Sequence, residues 1–252
     1  MRLSLYEIET IVKLKNKYFS EIDKIYLFGS RTDNSKKGGD IDLFIELHDK
    51  NDKYYNKKIE FVFDLQKVLG EQKIDLIISQ NKDRLIEIEA KKGVELNLDK
   101  IKLKKYFNEC DKHLQRIEEA YGDIQDIIPL TVQQYQTLSK DEVQDIDQYL
   151  YRFSKLQDTL GQKIFKLVLN IYEPSDENIS FLDLLNKLEK LNFLENTKEW
   201  IQLRDKRNKI AHQYDDEPFE MTQAINDILN QKNIIKAIYL KMKQKSERYL
   251  ND

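Results

Sequence analysis

Two short groups of polar residues, near opposite ends of the chain, have the types and spacing needed for phosphate chemistry. The first is a Gly-Ser pair at 29–30, followed after nine residues by an Asp-Ile-Asp triplet at 40–42. The second is the stretch 207–214, with the sequence RNKIAHQY. The first group is typical of a site that transfers a nucleotide. The second is typical of a site that cuts RNA, with a tyrosine beside it.

Carboxylates in the first group are spaced to bind a metal ion. Asp40 and Asp42 are two residues apart on a predicted strand, so their side chains share one face. Two carboxylates there repel each other unless a cation lies between them, and Mg²⁺ prefers such oxygen ligands. Asp75 lies inside an apolar run of another predicted strand, where a carboxylate is costly unless it is paired or metal-bound. We therefore expect Asp75 to complete the site.

The Gly-Ser pair predicts a phosphate-binding turn next to these carboxylates. Gly29 permits a tight bend at the end of a strand. The backbone amides after Gly29 and the hydroxyl of Ser30 can hold phosphate oxygens. Arg31 adds a positive charge for the same anion. We expect these three residues to bind the nucleotide.

The second group lacks carboxylate ligands and suits metal-free cleavage of a phosphodiester. His212 can move a proton near neutral pH, and Arg207 can stabilise charge on the phosphate. A requirement for the ribose 2′-OH would restrict the reaction to RNA. Asn208 and His212 share a helical face, whereas Arg207 and His212 are about 140° apart on an ideal helix. The helix must bend near His212, or a second copy must complete the site.

Periodicity places these groups in two different kinds of domain. In the first part, predicted strands at 24–28, 41–47 and 73–78 alternate with predicted helices at 3–19, 53–69 and 83–92. We expect an α/β domain with a short mixed sheet over 1–98. Beyond it we see no good strand, and helices are predicted at 100–128, 141–172, 180–191, 196–213 and 218–248, with prolines between several of them. We expect an all-α helical bundle over 99–252.

Composition narrows the remaining possibilities. The 252 residues include 7 glycines and 3 prolines, which favours a mostly helical protein. The single Cys110 excludes an intrachain disulfide and a multi-thiolate metal site. The net charge of −3 predicts no general attraction to nucleic acid. The absence of a signal region and of a long apolar run predicts a cytoplasmic protein that does not bind a membrane.

The first group resembles the motif of the minimal nucleotidyltransferase (MNT) group of the polymerase-β-like superfamily. In that motif a Gly-Ser on a turn is followed by Asp-x-Asp on the next strand; Gly29, Ser30, Asp40, Asp42 and Asp75 match its positions. The resemblance covers about residues 1–98. It implies ATP as the nucleotide donor, two Mg²⁺ ions, and transfer of AMP to an acceptor hydroxyl.

The second group resembles the motif of HEPN-family helical ribonucleases, in the subgroup that is paired with MNT proteins. Arg207, Asn208, His212 and Tyr214 match that motif in order. In MNT–HEPN toxin–antitoxin pairs, the MNT protein adenylylates the tyrosine beside the histidine and silences the HEPN RNase. The resemblance thus implies a fused toxin–antitoxin protein with Tyr214 as AMP acceptor, an RNA target such as tRNA or mRNA, and a homodimer formed through the helical domain.

Two other interpretations remain open from the sequence. The first domain could transfer a nucleotide to a small molecule, with the helical domain as the module that binds the acceptor. Alternatively, the helical domain could be a non-catalytic HEPN scaffold that binds RNA or a partner without cutting it. The two proteins of an MNT–HEPN pair are commonly separate chains, whereas both parts lie here in one chain.

Overall fold

The computed structural model shows two compact units, Met1–Ile101 and Lys102–Asp252. The structure describes residues 1–49, 54–80, 84–174, 179–211 and 217–251. The first unit contains a four-stranded sheet with helices, and the second is built from helices in the ranges described. The fold class predicted from the sequence is therefore confirmed.

The first unit alternates helices and strands. Its elements are α1 (Leu5–Tyr18), β1 (Lys24–Phe28), a 3₁₀ turn (Gly29–Thr32), β2 (Ile41–Glu46), α2 (Tyr54–Leu69), β3 (Ile74–Ile78), α3 (Leu85–Lys91) and β4 (Val94–Glu95). The strand order is β3-β2-β1-β4. Strands β2 and β3 are parallel, and β1 is antiparallel to both β2 and β4. The two-residue strand β4 was not predicted, because so short a run carries no periodicity.

Strand β2 lies between β3 and β1, and its sequence suits this inner position because it is apolar on both faces. Ile41, Leu43, Phe44 and Ile45 are all fully buried there. Near-continuous apolar sequence is expected of a strand that is covered on both sides. Asp42 is the polar exception within this run and is only half-buried. The fold thus places the Asp42 carboxylate near the start of an inner strand, with β1 on one side and β3 on the other.

The second unit contains a longer series of helices. They are α4 (Leu98–Ile124), which begins in the first unit, α5 (Val132–Gln136), α6 (Lys140–Asp158), a π-helical stretch (Thr159–Ile164), α7 (Phe165–Tyr172), α8 (Phe181–Lys190), α9 (Thr197–Ala211), α10 (Pro218–Leu229) and α11 (Lys232–Asn251). The single helix predicted over 218–248 is wrong, because α10 and α11 are separate. The short helix α5 was missed.

A large apolar core holds the second unit together. Tyr149, Phe153, Phe165 and Tyr239 are fully buried in it, and Trp200 on α9 is 2% exposed. Burial of aromatic side chains of this size contributes much of the packing energy of a protein core. Among the described residues, no helix is both long and apolar enough to cross a membrane.

Candidate functional site: three carboxylates at the edge of a cavity

The turn after β1 brings the backbone against a carboxylate. Gly29 has φ +70°, in the left-handed region that favours glycine. A Cβ added to Gly29 would lie 2.2 Å from Oδ2 of Asp42. Glycine is therefore required at this position for two reasons, the backbone conformation and the space that Asp42 occupies.

The sheet places two of the carboxylates side by side. Asp42 on β2 is the register partner of Phe28 on β1 and of Asp75 on β3. Paired residues on adjacent strands project from the same face of a sheet. The sequence analysis placed Asp40 on a strand, whereas in the structure Asp40 immediately precedes β2. Ile41 separates it from Asp42, so the three carboxylates come from the ends of two neighbouring strands.

The surroundings of Asp75 differ from those expected. The sequence suggested a costly carboxylate within an apolar run, but the Asp75 side chain is 54% exposed. The reason is the alternation of β3, in which Ile74, Leu76 and Ile78 face the core while Asp75 faces the other side. Asp75 is thus accessible to a ligand.

A lysine that the sequence analysis missed lies between two of these carboxylates. Nζ of Lys73 is 2.8 Å from Oδ2 of Asp40 and 3.1 Å from Oδ2 of Asp75. Lys73 immediately precedes β3 and lies two residues before Asp75. This i, i+2 spacing is the signal that could have indicated Lys73. Its ammonium is the cation that two neighbouring carboxylates require.

The charges of the site perturb its acids and bases. Burial raises the pKa of Asp42, and the neighbouring Asp75 and Asp40 raise it further, while Lys73 and Arg31 act in the opposite direction. Hydrogen bonds to Asp40 and Asp75 raise the pKa of Lys73 above its usual value. The carboxylates therefore repel one another, and the site favours additional positive charge.

The donor set fits a magnesium ion once Lys73 moves aside. In the described part of the chain, no group of three His, Cys, Asp or Glu side chains is already arranged to hold a metal ion. The Lys73 ammonium, which contacts Asp40 and Asp75, stands in for a cation. The Lys73 side chain is 65% exposed and can leave without breaking the core. Three carboxylates at strand ends are the oxygen donors that Mg²⁺ takes.

Arg31 is engaged by the protein itself. Its Nη2 donates to the carbonyl oxygen of Gly39 at 2.6 Å and to Oε1 of Gln72 at 2.7 Å, and its Nη1 contacts Oε1 of Glu7 at 3.4 Å. These contacts tie the turn to α1 and to the residues just before β3. The expected contact of Arg31 with phosphate stays a prediction.

Ser30 lies in a loop that Arg2 holds in place. The Arg2 guanidinium donates to the carbonyl oxygens of Ser30 at 3.1 Å, Asp33 at 3.3 Å and Gly38 at 3.0 Å. A Cβ added to Gly38 would lie 2.3 Å from Oγ of Ser30. The loop is therefore packed closely around the Ser30 hydroxyl, which the sequence assigns to phosphate binding.

A cavity of about 740 Å³ opens beside the carboxylates. Asp42 and Asp75 form its acidic end, with Lys58 and Gln66 also on its wall. The rest of the wall is mainly apolar and consists of Phe28, Ile59, Val62, Phe63, Ile74, Leu76, Ile77 and Ile86. Ile59 and Phe63 are more than half exposed. A cavity with a mainly apolar wall and a few convergent polar groups is typical of a ligand site.

The second motif is only partly described by the structure. Arg207 and Asn208 lie on α9, and Nη1 of Arg207 donates to Oδ1 of Asn208 at 3.3 Å. Nη2 of Arg207 forms an ion pair with Asp158, at the end of α6. His212 and Tyr214 lie outside the described residues, so their predicted roles stay predictions. Asp158 is 49 residues away in sequence, and no local pattern connects it with Arg207.

Comparison with known proteins supports the nucleotidyltransferase resemblance of the first unit and gives no support for the HEPN resemblance of the second. Residues 9–102 match the model of the family described as polymerase beta, nucleotidyltransferase. The first unit carries a nucleotidyltransferase-like domain. The match covers less than half of the chain and does not extend into most of the helical unit. No curated protein and no solved structure gives a significant match.

Within the nucleotidyltransferase-like domain, residues of three kinds meet where β1 ends and where β2 and β3 begin. Gly29 leaves room for the Asp42 side chain, the three carboxylates are negatively charged, and the Lys73 ammonium is the positive charge between two of them. The motif indicated the first two kinds before the fold was known. Gln72, which accepts from Arg31, was missed because a single glutamine before a strand has no distinguishing pattern.

Proposed function

We propose that the first unit transfers AMP from Mg·ATP to the hydroxyl of Tyr214, in the same chain or in a second copy. The observation that carries the proposal is the pairing of Asp42 with Asp75 at the acidic end of a cavity, next to the Gly29 turn. The family match at 9–102 supports the reaction class, nucleotidyl transfer.

The metal and the donor would bind at the strand ends. Asp40 and Asp42 would hold Mg²⁺, and Asp75 would be a third oxygen donor. When bound, Mg²⁺ supplies charge neutralisation for the phosphates of ATP. The amides after Gly29 and the Ser30 hydroxyl hold phosphate oxygens, and Arg31 fixes the turn and adds positive charge. Lys73 leaves Asp40 and Asp75 and becomes free to contact the triphosphate.

A tyrosine acceptor suits the mixed lining of the cavity, which is mainly apolar with carboxylates at one end. In this proposal the phenol ring of the acceptor would pack on the apolar part of the cavity wall, which includes Ile59 and Phe63. Its hydroxyl would be directed at Asp75, which lines the same cavity. Asp75 takes the phenol proton as the oxygen attacks the α-phosphorus. The bond from that phosphorus to the bridging oxygen breaks, and pyrophosphate leaves. A tyrosyl–AMP ester is the product.

The helical unit would be the target of this modification. We assign it as a HEPN-type RNase in which Arg207 stabilises charge on the RNA phosphate, Asn208 supports it, and His212 moves the proton. The bulky anion of AMP on Tyr214 would repel an RNA phosphate approaching Arg207. The chain would then be a fused toxin–antitoxin protein, acting as a homodimer.

The test is the intact mass of the chain after incubation with Mg²⁺ and ATP. We expect the mass of one AMP to be added, with the modified peptide containing Tyr214. The Tyr214→Phe variant should stay unmodified, because it keeps the ring and lacks the hydroxyl. Protein shown to start unmodified that gains no AMP would contradict self-modification. An adduct on another residue would contradict Tyr214 as the acceptor.

RNA cleavage is tested separately by toxicity in cells. The double variant Asp40→Ala, Asp42→Ala cannot silence the RNase, so its expression should be toxic. Adding His212→Ala should relieve the toxicity at the same level of expression. A harmless double variant, expressed in full, would remove the toxin from the proposal and leave the transferase.

A second candidate function is transfer of a nucleotide to a small molecule. The cavity beside Asp75 favours it as well, since an apolar wall can hold a small acceptor. In this case the helical unit binds the acceptor, and ATP is consumed without labelling of the chain. Release of pyrophosphate that depends on an added acceptor, with no change in the protein mass, would select this alternative.

A further inference from the structure

The helical unit contains a second cavity, of about 490 Å³, that the transferase chemistry does not use. All its lining residues among those described belong to this unit. They are Gln157, Asp158, Gly161, Gln162, Lys166, Ile179, Phe181, Leu184, Trp200, Arg204, Arg207 and Asn208. The volume lies in the range of about 300–1,000 Å³ that is usual for small-molecule sites.

The backbone next to this cavity departs from a regular helix. The π-helical stretch Thr159–Ile164 joins α6 and α7. Within it, a Cβ added to Gly161 would lie 2.8 Å from Cζ2 of Trp200. Gly161 therefore lets the backbone approach the indole ring. Such π-helical turns are frequent at functional sites, because they shift side chains out of the regular helical positions.

Residues that line the cavity carry buried polar groups without partners. Gln157 is 4% exposed, yet neither Nε2 nor Oε1 of its amide has a partner among the described residues. The same holds for Nε1 of Trp200, which is 2% exposed. A buried polar group that stays unsatisfied destabilises the folded chain. Nε of Arg207 is also buried and without a partner among the described residues. Four such atoms in three residues that line one cavity point to a ligand that pairs with them.

The mouth of the cavity is positively charged. Lys166 and Arg204 are exposed and have no ion pair in the described part of the chain. Arg204 lies over the ring of Phe181, with 5.3 Å from Cζ to the ring centroid. The cation Arg207 is already paired with Asp158, the carboxylate among the lining residues. The remaining charge at the mouth therefore favours an anion, and arginine in particular favours phosphate.

We propose that this cavity binds a planar heteroaromatic ligand carrying a phosphate group, which is the chemistry of a nucleoside monophosphate. The ring would enter between Trp200 and the apolar residues of α8, where the Gln157 amide can donate to and accept from its edge. The phosphate would lie at Lys166 and Arg204. A free mononucleotide and an unpaired nucleotide of an RNA strand both offer this chemistry.

Trp200 is the only tryptophan of the chain, so tryptophan fluorescence reports on this cavity directly. The full chain, freed of bound nucleotide, is titrated in EDTA with AMP, GMP, CMP and UMP, and with adenosine and inorganic phosphate as controls. We expect a saturable change with at least one mononucleotide. Inorganic phosphate that binds as tightly as every mononucleotide, or no saturable change with any of them, would overturn the proposal.

Three variants locate the binding site. Gln157→Leu keeps the approximate shape and removes both amide atoms, so affinity should fall about tenfold. Lys166→Ala should weaken binding of the mononucleotide a few-fold and leave adenosine unaffected. Lys163→Ala is the matched control, since Lys163 lies in the same π-helical stretch, contacts Glu109 at 3.3 Å and does not line the cavity. Unchanged affinity in Gln157→Leu would overturn the proposal.

Two further arms separate the ligand source and the two units. A short 2′-O-methyl RNA that binds more tightly than the mononucleotide, and is displaced by it, identifies an RNA strand as the source; otherwise the free nucleotide is the ligand. The double variant Asp40→Ala, Asp42→Ala should bind as the wild type does, and loss of binding would contradict a site in the helical unit. The inference extends the proposed function because Arg207 and Asn208 line the cavity. Binding and self-modification are measured independently, so either can fail alone.

Discussion

Replacing Gly29 with alanine should disable the transferase site by displacing a carboxylate. The new Cβ would lie 2.2 Å from Oδ2 of Asp42, whereas carbon–oxygen contacts fall at about 3.3–3.6 Å. One of the two groups must therefore move by about 1 Å. A misplacement of that size at a reacting centre can lower the rate by about 100-fold. We expect a comparable loss of nucleotide transfer and weaker binding of Mn²⁺ as a probe of the metal site.

Gly70→Ala is the matched control for the backbone. Gly70 also has a positive φ, +86°, but an added Cβ would meet nothing within 4 Å. A left-handed conformation costs an alanine about 1–2 kcal/mol, partly offset by about 0.4–1 kcal/mol from the less flexible unfolded chain. Overpacking at Gly29 adds about 1–3 kcal/mol. Gly29→Ala should therefore be the less stable variant.

The assays are urea unfolding, binding of Mn²⁺ and AMP transfer, with both variants measured alongside the wild type. Gly70→Ala should lose a little stability and keep transfer and Mn²⁺ binding. Gly29→Ala should lose all three in part or in full. Wild-type Mn²⁺ affinity and transfer in a folded Gly29→Ala protein would refute the close contact between this turn and Asp42.

Three further predictions concern single side chains. Burial raises the pKa of Asp42, and Asp75 and Asp40 raise it further. Ionisation of Asp42 therefore destabilises the folded state. This destabilisation is absent below the unfolded-state pKa of about 3.9 and fully present above the pKa of the folded state. Asp42→Asn should thus raise the free energy of unfolding in metal-free buffer at neutral pH, and urea titrations near pH 3 should show no such gain. Lys73→Met removes the cation between Asp40 and Asp75, so calorimetry should show Mn²⁺ binding a few-fold tighter; weaker binding would mean that Lys73 does not compete with the metal. Burial raises the pKa of the Cys110 thiol to about 12, so iodoacetamide should label Cys110 only after unfolding, and rapid labelling of the native protein would contradict its position in the core.

The strands and the chemistry of the first unit follow from local patterns. Strand β1 occupies residues 24–28 as predicted, and β2 and β3 lie within one residue of their predicted bounds. A glycine at a strand end and carboxylates two residues apart can be read without the fold, because the periodicity of a strand determines which side chains share a face. Asp75 was expected to join the site because a carboxylate within an apolar run is costly unless it is paired or metal-bound. Its register pairing with Asp42 is known only from the fold.

What the sequence could not supply depends on tertiary packing. Lys73 gains its role only after β3 pairs with β2, and the exposure of Asp75 depends on which face of β3 is covered. The contact between Arg207 and Asp158 joins residues 49 positions apart. The π-helical stretch near Gly161 was predicted as ordinary helix, since its apolar spacing differs too little from the usual period.

The two cavities present opposite charge to the same class of ligand. At the first, Asp42 and Asp75 repel phosphate, so a nucleotide can bind there only with a cation that neutralises the carboxylates. At the second, Lys166 and Arg204 attract phosphate directly. Removal of divalent cations should therefore abolish nucleotide binding in the first unit and leave binding in the helical unit intact. Two classes of nucleotide site in Mg²⁺ and one in EDTA, measured by calorimetry on the unmodified full chain, would support this division. Equal loss of all binding in EDTA would show that the cations at the mouth of the second cavity do not hold a phosphate.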